Sequence, residues 1–266
     1  MGEDFFEYES SKIHFIKFGD GEKLLIALHG FGDRASSFLA LKTALQKEYT
    51  VYAIDLPFHG QTQWQGDSFS QKDILGWFKI ILDREKKQRY NLMGFSLGGR
   101  IILALLSRVL KDVDKIYMIA PDGLKTNGMS IASLAPIWLR RFLKAQAFNP
   151  NILIKIVKGG YQIGLVSKFN FHFVQYNLLA EERQDRIFNT WIALNNFEVK
   201  LEEVRLLLME IAIPIELYFG KHDKIIPLTA GQKFADGMPN VHLSIINEGH
   251  LLLNEKLDKL IGKQIN

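Results

Sequence analysis

Ser96 lies in the run Gly94-Phe95-Ser96-Leu97-Gly98-Gly99, between an apolar strand-like segment and a helical one. A serine on such a sharp strand-to-helix turn stands clear of the sheet, and the flanking glycines let neighbouring backbones approach closely. The Leu97 amide at the helix start would then face the oxyanion that forms when a hydroxyl attacks a carbonyl. The motif therefore predicts Ser96 as a nucleophile.

A second glycine-bearing segment, His29-Gly30-Phe31-Gly32, follows a buried strand-like run. A loop at that place can supply a second backbone N–H to an oxyanion hole, and we assign it to Phe31. His29 and Phe95 flank the same region and are predicted to contact substrate or support the site.

The late part of the chain supplies an acid and a base. Asp223 comes just after a strand-like run, and His250 follows the last one. Serine, acid and histidine in this chain order form a catalytic triad, in which His250 takes the Ser96 proton and Asp223 fixes the imidazole tautomer. Asp122 also follows a strand end and is the rival acid. His14 and His242 are predicted to be surface residues of strands.

Apolar, β-prone runs alternate with helical patterns, which is typical of a mostly parallel sheet with helices on both faces. Strands are predicted at residues 12–18, 23–28, 50–54, 89–95, 115–120, 214–219 and 241–246. Helices are predicted at 36–47, 70–87, 97–110, 228–235 and 251–261, with Ser70 as a cap. Between them, residues 124–209 lack strand signals. The sequence predicts one α/β core, 1–123 and 210–266, with a helical insertion at 124–209.

The composition narrows the function classes. With 266 residues, 47% hydrophobic and 23% charged, the chain is typical of a soluble globular protein. A net charge of +4 without a lysine and arginine stripe does not indicate a nucleic-acid partner. The chain has no cysteine, no apolar run of ~20 residues and no signal-peptide pattern at its start. We expect a cytoplasmic protein without a membrane span, cofactor or metal, acting on a small acyl substrate. The oligomeric state is not indicated.

The motifs around Ser96, Asp223 and His250, together with His29–Gly32 and the run Asp55-Leu56-Pro57-Phe58-His59-Gly60, resemble the α/β-hydrolase superfamily. The resemblance covers nearly the whole chain and implies a carboxylesterase-type serine hydrolase acting on an ester or thioester. It also implies that 124–209 form a lid, with Trp138 against the substrate. Phe58 stands where the family usually has glycine, and its ring is expected to narrow the pocket.

Three other functions stay open. The run from Ser96 to Arg100 resembles a lyase of the same fold, the menaquinone-pathway cyclohexadiene-carboxylate synthase, in which basic residues such as Arg100 would bind an acidic substrate. A carbon–carbon bond hydrolase of this fold is a second alternative. A non-enzymatic, ligand-binding hydrolase fold is the third, although such proteins usually lose a triad residue.

Overall fold

A computed structural model describes residues 2–124, 150–164, 186, 189–190 and 192–265. Eight strands form a single sheet in these residues. The strands are β1 Gly2–Tyr8, β2 Ser11–Phe18, β3 Lys23–Leu28, β4 Tyr49–Ile54, β5 Tyr90–Phe95, β6 Val113–Ile119, β7 Ile215–Gly220 and β8 Val241–Ile246.

The sheet order is β1-β2-β4-β3-β5-β6-β7-β8. β2 pairs antiparallel with both β1 and β4, and all other pairs are parallel. The carboxyl ends of β3, β5, β7 and β8 therefore meet along one edge of the sheet, where ligands of open α/β sheets bind. The predicted α/β class and the mostly parallel sheet are confirmed.

Helices connect the parallel strands. In the described residues the helices are α1 Lys42–Leu45, α2 Gln71–Glu85, α3 Leu97–Val109, α4 Pro150–Gln162, α5 Leu201–Glu210, α6 Leu228–Ala235 and α7 Glu255–Ile265. Shorter 3-10 turns span Ala35–Leu41, Leu110–Asp112 and Leu194–Phe197. Ser70 caps α2 as predicted, and the Asp73 carboxylate accepts the Ser70 amide at 2.7 Å.

Two predicted helices differ in the structure. The segment predicted as one helix at 36–47 is mainly a 3-10 turn followed by the four-residue α1. The final helix begins at Glu255, four residues later than predicted, because residues 251–253 are not helical, and Leu251 and Leu253 line the cleft beside Ser96.

His14 is buried, so its prediction as a surface residue is wrong. β2 lies inside the sheet, with most of its side chains buried on both faces. The His14 ring contacts the Asp55 carboxylate at 2.7 Å, and both side chains are 2% exposed. Alternation of polar and apolar residues does not identify the solvent face of a strand that is covered on both sides.

Contacts within the chain define two compact units. The first comprises Met1–Gln65, Phe69–Gly128 and Asn196–Asn266, and it contains the sheet. The second comprises Gly66–Ser68 and Met129–Asn195. The lid assigned to residues 124–209 stays a prediction. Among the residues that the structure describes, none of the helices has the length and apolarity needed to cross a membrane.

Candidate active site

Ser96 occupies a strained turn between β5 and α3. Its φ of 48° and ψ of −108° lie outside the regions that side-chain-bearing residues usually adopt. The turn is held by the Ser96 amide, which donates to the Ile119 carbonyl at 2.9 Å. A Cβ on Gly94 would come within 2.7 Å of Gly99 Cα, and one on Gly98 would collide with the Leu28 carbonyl. The two glycines are therefore required by close backbone approach.

His250 and Asp223 reach Ser96 from the loops after β8 and β7. His250 Nε2 lies 3.1 Å from Ser96 Oγ, and His250 Nδ1 lies 2.7 Å from Asp223 Oδ2. The Asp223 carboxylate only accepts hydrogen bonds, so the proton sits on Nδ1 and leaves Nε2 to accept from the serine hydroxyl. The structure thus brings together the three residues predicted as a triad.

Hydrogen bonds to both carboxylate oxygens hold the Asp223 side chain in place. Oδ1 accepts the Ile225 and Ile226 amides at 2.8 and 2.9 Å, while Oδ2 faces His250. The side chain has no solvent exposure. Burial alone would raise the pKa of this carboxyl, but the hydrogen bond from His250 and those from the two amides outweigh burial and hold the pKa below its ordinary value. Asp223 therefore stays ionised beside the imidazole.

The loop that carries Asp223 packs directly on the loop that carries His250. The His222 amide donates to the Glu248 carbonyl at 2.9 Å, and the Lys221 amide donates to Ile246 at 2.8 Å. A Cβ on Gly220 would collide with the Gly249 carbonyl. This backbone contact sets the spacing between acid and base.

The two residues predicted to supply oxyanion-hole amides, Phe31 and Leu97, lie beside the serine. Leu97 begins α3, where backbone N–H groups have no acceptor within the helix. A Cβ built on Gly30 would lie 3.3 Å from Ser96 Cβ, so the loop containing Phe31 runs next to the nucleophile. The Gly98 amide donates to the His29 carbonyl at 3.0 Å, which ties this loop to the elbow. The oxyanion role of Phe31 and Leu97 stays a prediction.

His29 is fully buried at the start of the loop that carries Phe31. Its Nε2 accepts the Leu56 amide at 3.0 Å, so its Nδ1 carries the proton and donates to the Gly30 carbonyl at 2.7 Å. This arrangement favours a positioning role for His29 over the predicted contact with substrate. Phe95 lies closer to the chemistry, because its ring centroid is 5.2 Å from that of His250.

Arg100 points away from the serine hydroxyl. Its Nε donates to the Phe197 carbonyl at 3.1 Å, and its Nη1 contacts the Asp122 carboxylate at the same distance. The side chain is 10% exposed. Asp122 is thereby engaged as a partner of Arg100, while Asp223 has the geometry of the triad acid. The predicted binding of substrate by Arg100 is not favoured by these contacts.

We expect Arg100→Met to lower the free energy of unfolding by about 2 kcal/mol, because the Phe197 carbonyl and Asp122 lose a charged donor. The melting temperature should fall by about 4–8 °C. The preference among substrates of different charge should not change. Thermal denaturation and kcat/KM for matched anionic and neutral esters check this. A selective loss of activity on anionic esters with an unchanged melting temperature would contradict it.

A cleft of about 330 Å³ opens above the triad. It is lined by Phe95, Ser96 and His250 and by the apolar side chains of Leu251 and Leu253. The segment that follows β3 contributes the other lining residues, which are Gly30, Phe31, Gly32, Asp33 and Ser37. Asp33 and Ser37 were not identified from the sequence, although their place directly after the glycine loop was a usable signal. Trp138 lies outside the described residues.

Phe58 does not line this cleft among the residues that the structure describes. It has a φ of 67°, which explains why glycine is usual at this turn, and its ring centroid lies 6.4 Å from that of Phe69. The predicted narrowing of the pocket is therefore not seen at these residues. Asp55 organises the turn by accepting the Ala35 and Gln61 amides at 2.6 and 2.8 Å.

Residues 23–152 match the family model of the alpha/beta hydrolase fold, a range that includes the loop carrying Phe31 and also Ser96. The chain is 25% identical over 254 residues to the uncharacterized hydrolase YugF of Bacillus subtilis, covering 92% of this chain and 89% of YugF. It is 23% identical over 248 residues to the Escherichia coli 2-hydroxy-6-oxononadienedioate/2-hydroxy-6-oxononatrienedioate hydrolase, covering 90% of this chain and 84% of that one.

Among solved structures, a thermophilic esterase from Thermogutta terrifontis superposes with a TM-score of 0.71 at 14% identity. The match covers 99% of this chain and 97% of the esterase. At this identity the likeness concerns the fold alone. The family match, the relatives and the solved structures agree that this chain has the alpha/beta hydrolase fold.

Proposed function

We propose that this protein is a serine hydrolase that cleaves a carboxylic ester or thioester through an acyl-enzyme on Ser96. The observation that carries the proposal is the hydrogen-bonded chain from Ser96 Oγ to His250 at 3.1 Å and from His250 to Asp223 at 2.7 Å. Both distances suit proton transfer and tautomer control. A buried acid, a base and a strained serine at one end of a sheet form an arrangement suited to acyl transfer.

In the first half-reaction, Ser96 Oγ attacks the carbonyl carbon while His250 Nε2 takes the hydroxyl proton. The Phe31 and Leu97 amides stabilise the resulting oxyanion, and Asp223 stabilises the imidazolium. His250 then protonates the departing alcohol or thiol. In the second half-reaction, His250 activates a water that attacks the acyl-enzyme, which releases the acid and restores Ser96.

A carbon–carbon bond hydrolase is the second candidate, because the Escherichia coli relative bears the name of a dienedioate hydrolase. Such a substrate carries two carboxylates and calls for cations in the site. Arg100 is bound to Asp122 and Phe197, and the described lining of the cleft contains no lysine or arginine. The lyase alternative depends on the same cations. These observations favour the ester and thioester reaction.

Treatment with a fluorophosphonate probe tests the proposal. A single adduct on Ser96, located by peptide mass mapping, is expected in the wild type, and none in Ser96→Ala of unchanged melting temperature. Ser107→Ala, at a serine on the far end of α3, is the matched control and should label normally. Absence of labelling in the folded wild type, or labelling that persists in Ser96→Ala, would refute the assignment.

A further inference from the structure

The cleft above Ser96 has an unbalanced charge. Of the lining residues that the structure describes, Asp33 is the one carboxylate outside the triad, and none is a lysine or arginine. Aspartate carries a negative charge at neutral pH. A substrate that enters this cleft therefore meets one fixed anion in addition to the triad.

Asp33 is held in place by its own loop. Its amide donates to the Gly30 carbonyl at 3.2 Å, and its Oδ1 accepts the Arg34 amide at 2.9 Å and the Ser37 hydroxyl. Within the described parts of the chain, Oδ2 has no hydrogen-bond or ion-pair partner. The carboxylate is therefore positioned by Oδ1 while Oδ2 remains available to a ligand.

The described lining of the cleft contains no lysine or arginine that would neutralise this charge. Arg34 is exposed and does not line the cleft. Arg100 contacts Asp122 and the Phe197 carbonyl instead. Leu251 and Leu253, which also line the cleft, are apolar and bring no counter-charge.

We propose that Asp33 sets the charge selectivity of this site, so that the enzyme prefers neutral and ammonium-bearing esters and discriminates against carboxylate-bearing ones. This inference rests on the proposed hydrolase function and names the substrate class. A carboxylate on the substrate is repelled within the cleft, and a quaternary ammonium is attracted. The effect acts on binding, since the charged substituent lies away from the reacting carbonyl and keeps its charge during acyl transfer.

Two series of substrates test the inference. The first consists of p-nitrophenyl esters of one acyl length that end in a methyl, carboxylate or trimethylammonium group. The second consists of phenyl acetates with the same three groups on the phenol. In at least one series, the ratio of kcat/KM for the cationic ester to kcat/KM for the anionic ester should be about tenfold higher in the wild type than in Asp33→Asn. The difference should lie mainly in KM and shrink at high salt.

Asparagine keeps the Oδ1 acceptor for the Arg34 amide and Ser37, so Asp33→Asn removes the charge and leaves the loop bonds in place. Ser37→Ala removes one of those bonds and keeps the charge; it should retain the wild-type charge preference. Asp20→Asn removes an exposed carboxylate that does not line the cleft, and it should behave as the wild type.

The possible outcomes distinguish a failure of the charge inference from a failure of the proposed hydrolase function. If Asp33→Asn slows or speeds all esters of both series equally, Asp33 acts on loop structure alone and the charge inference is overturned. A wild type that turns over anionic esters as well as cationic ones overturns it too, while the hydrolase assignment stands. No turnover of any ester, together with no fluorophosphonate adduct, refutes the proposed function and the inference with it.

Discussion

Asp223→Asn is expected to lower kcat for a p-nitrophenyl ester by about four orders of magnitude while the protein remains folded. The asparagine amide would donate to His250 Nδ1, which places the imidazole proton on Nε2. Nε2 then cannot accept the Ser96 proton, and the imidazolium loses its buried counter-charge. Steady-state kinetics with active-site titration, and circular dichroism of both proteins, measure the effect.

Asp122→Asn is the control for this prediction, because Asp122 is the other acid that follows a strand end. It pairs with Arg100 and is 44% exposed, whereas the Asp223 side chain is fully buried against His250. The Asp122 variant should keep kcat within a few-fold of the wild type. A large loss of kcat in Asp122→Asn with a small loss in Asp223→Asn would mean that Asp122, and not Asp223, is the triad acid.

The free energy of unfolding of the same Asp223 variant, measured as a function of pH, provides a second test. Hydrogen bonds hold the native-state pKa of Asp223 below the unfolded value of about 3.9. Such a group stabilises the native state at pH values above the unfolded pKa, and the contribution is lost as pH falls through the lower native pKa. The free energy of unfolding of Asp223→Asn should therefore lie below that of the wild type at pH 6, with the gap closing below pH 4.

The three residues proposed as the triad could be located from the sequence because each lies at a strand end with a distinct local pattern. Glycines mark the elbow around Ser96, and the order serine, acid, histidine places the other two on neighbouring strands. The strand order in the sheet then brings Asp223 close to His250, because β7 and β8 are paired neighbours. Local signals suffice for residues whose position follows from the topology.

Other features depend on contacts that the sequence does not encode locally. β1 was missed because its stretch of seven residues holds three acids and buries little beyond Phe6. It exists by pairing with β2, and acidic residues are depleted in strands. The burial of His14 was not predicted for the same reason, since the residues that surround it come from β1 and Asp55. Asp33 belongs to the site because the loop after β3 folds beside Ser96.

Gly98→Ala is expected to destabilise the fold by about 3 kcal/mol, at the upper end of the range for overpacked cores. The new methyl group would collide with the Leu28 carbonyl, a backbone atom of β3 that has no side-chain freedom to move away. The melting temperature should fall by roughly 6–12 °C. Chemical and thermal denaturation measure the loss.

Gly159→Ala supplies the comparison, because Gly159 is also a helical glycine but a Cβ there meets no atom of the described residues within 4 Å. Alanine at that position should stabilise by up to about 1 kcal/mol through helix propensity. A Gly98 variant as stable as this control would mean that the elbow and β3 are not in close contact.

Gly98→Ala should also reduce catalysis in the fraction that stays folded. The Gly98 amide donates to the His29 carbonyl, and His29 begins the loop that brings Phe31 beside Ser96. A methyl group that separates α3 from β3 would therefore move the two amides assigned to the oxyanion apart. Loss of one oxyanion donor costs roughly 10²–10³ in kcat in serine hydrolases. Because the triad loops lie on β7 and β8, labelling of Ser96 by a fluorophosphonate should decline less than turnover of an ester. An equal decline in both would mean that the elbow itself has moved.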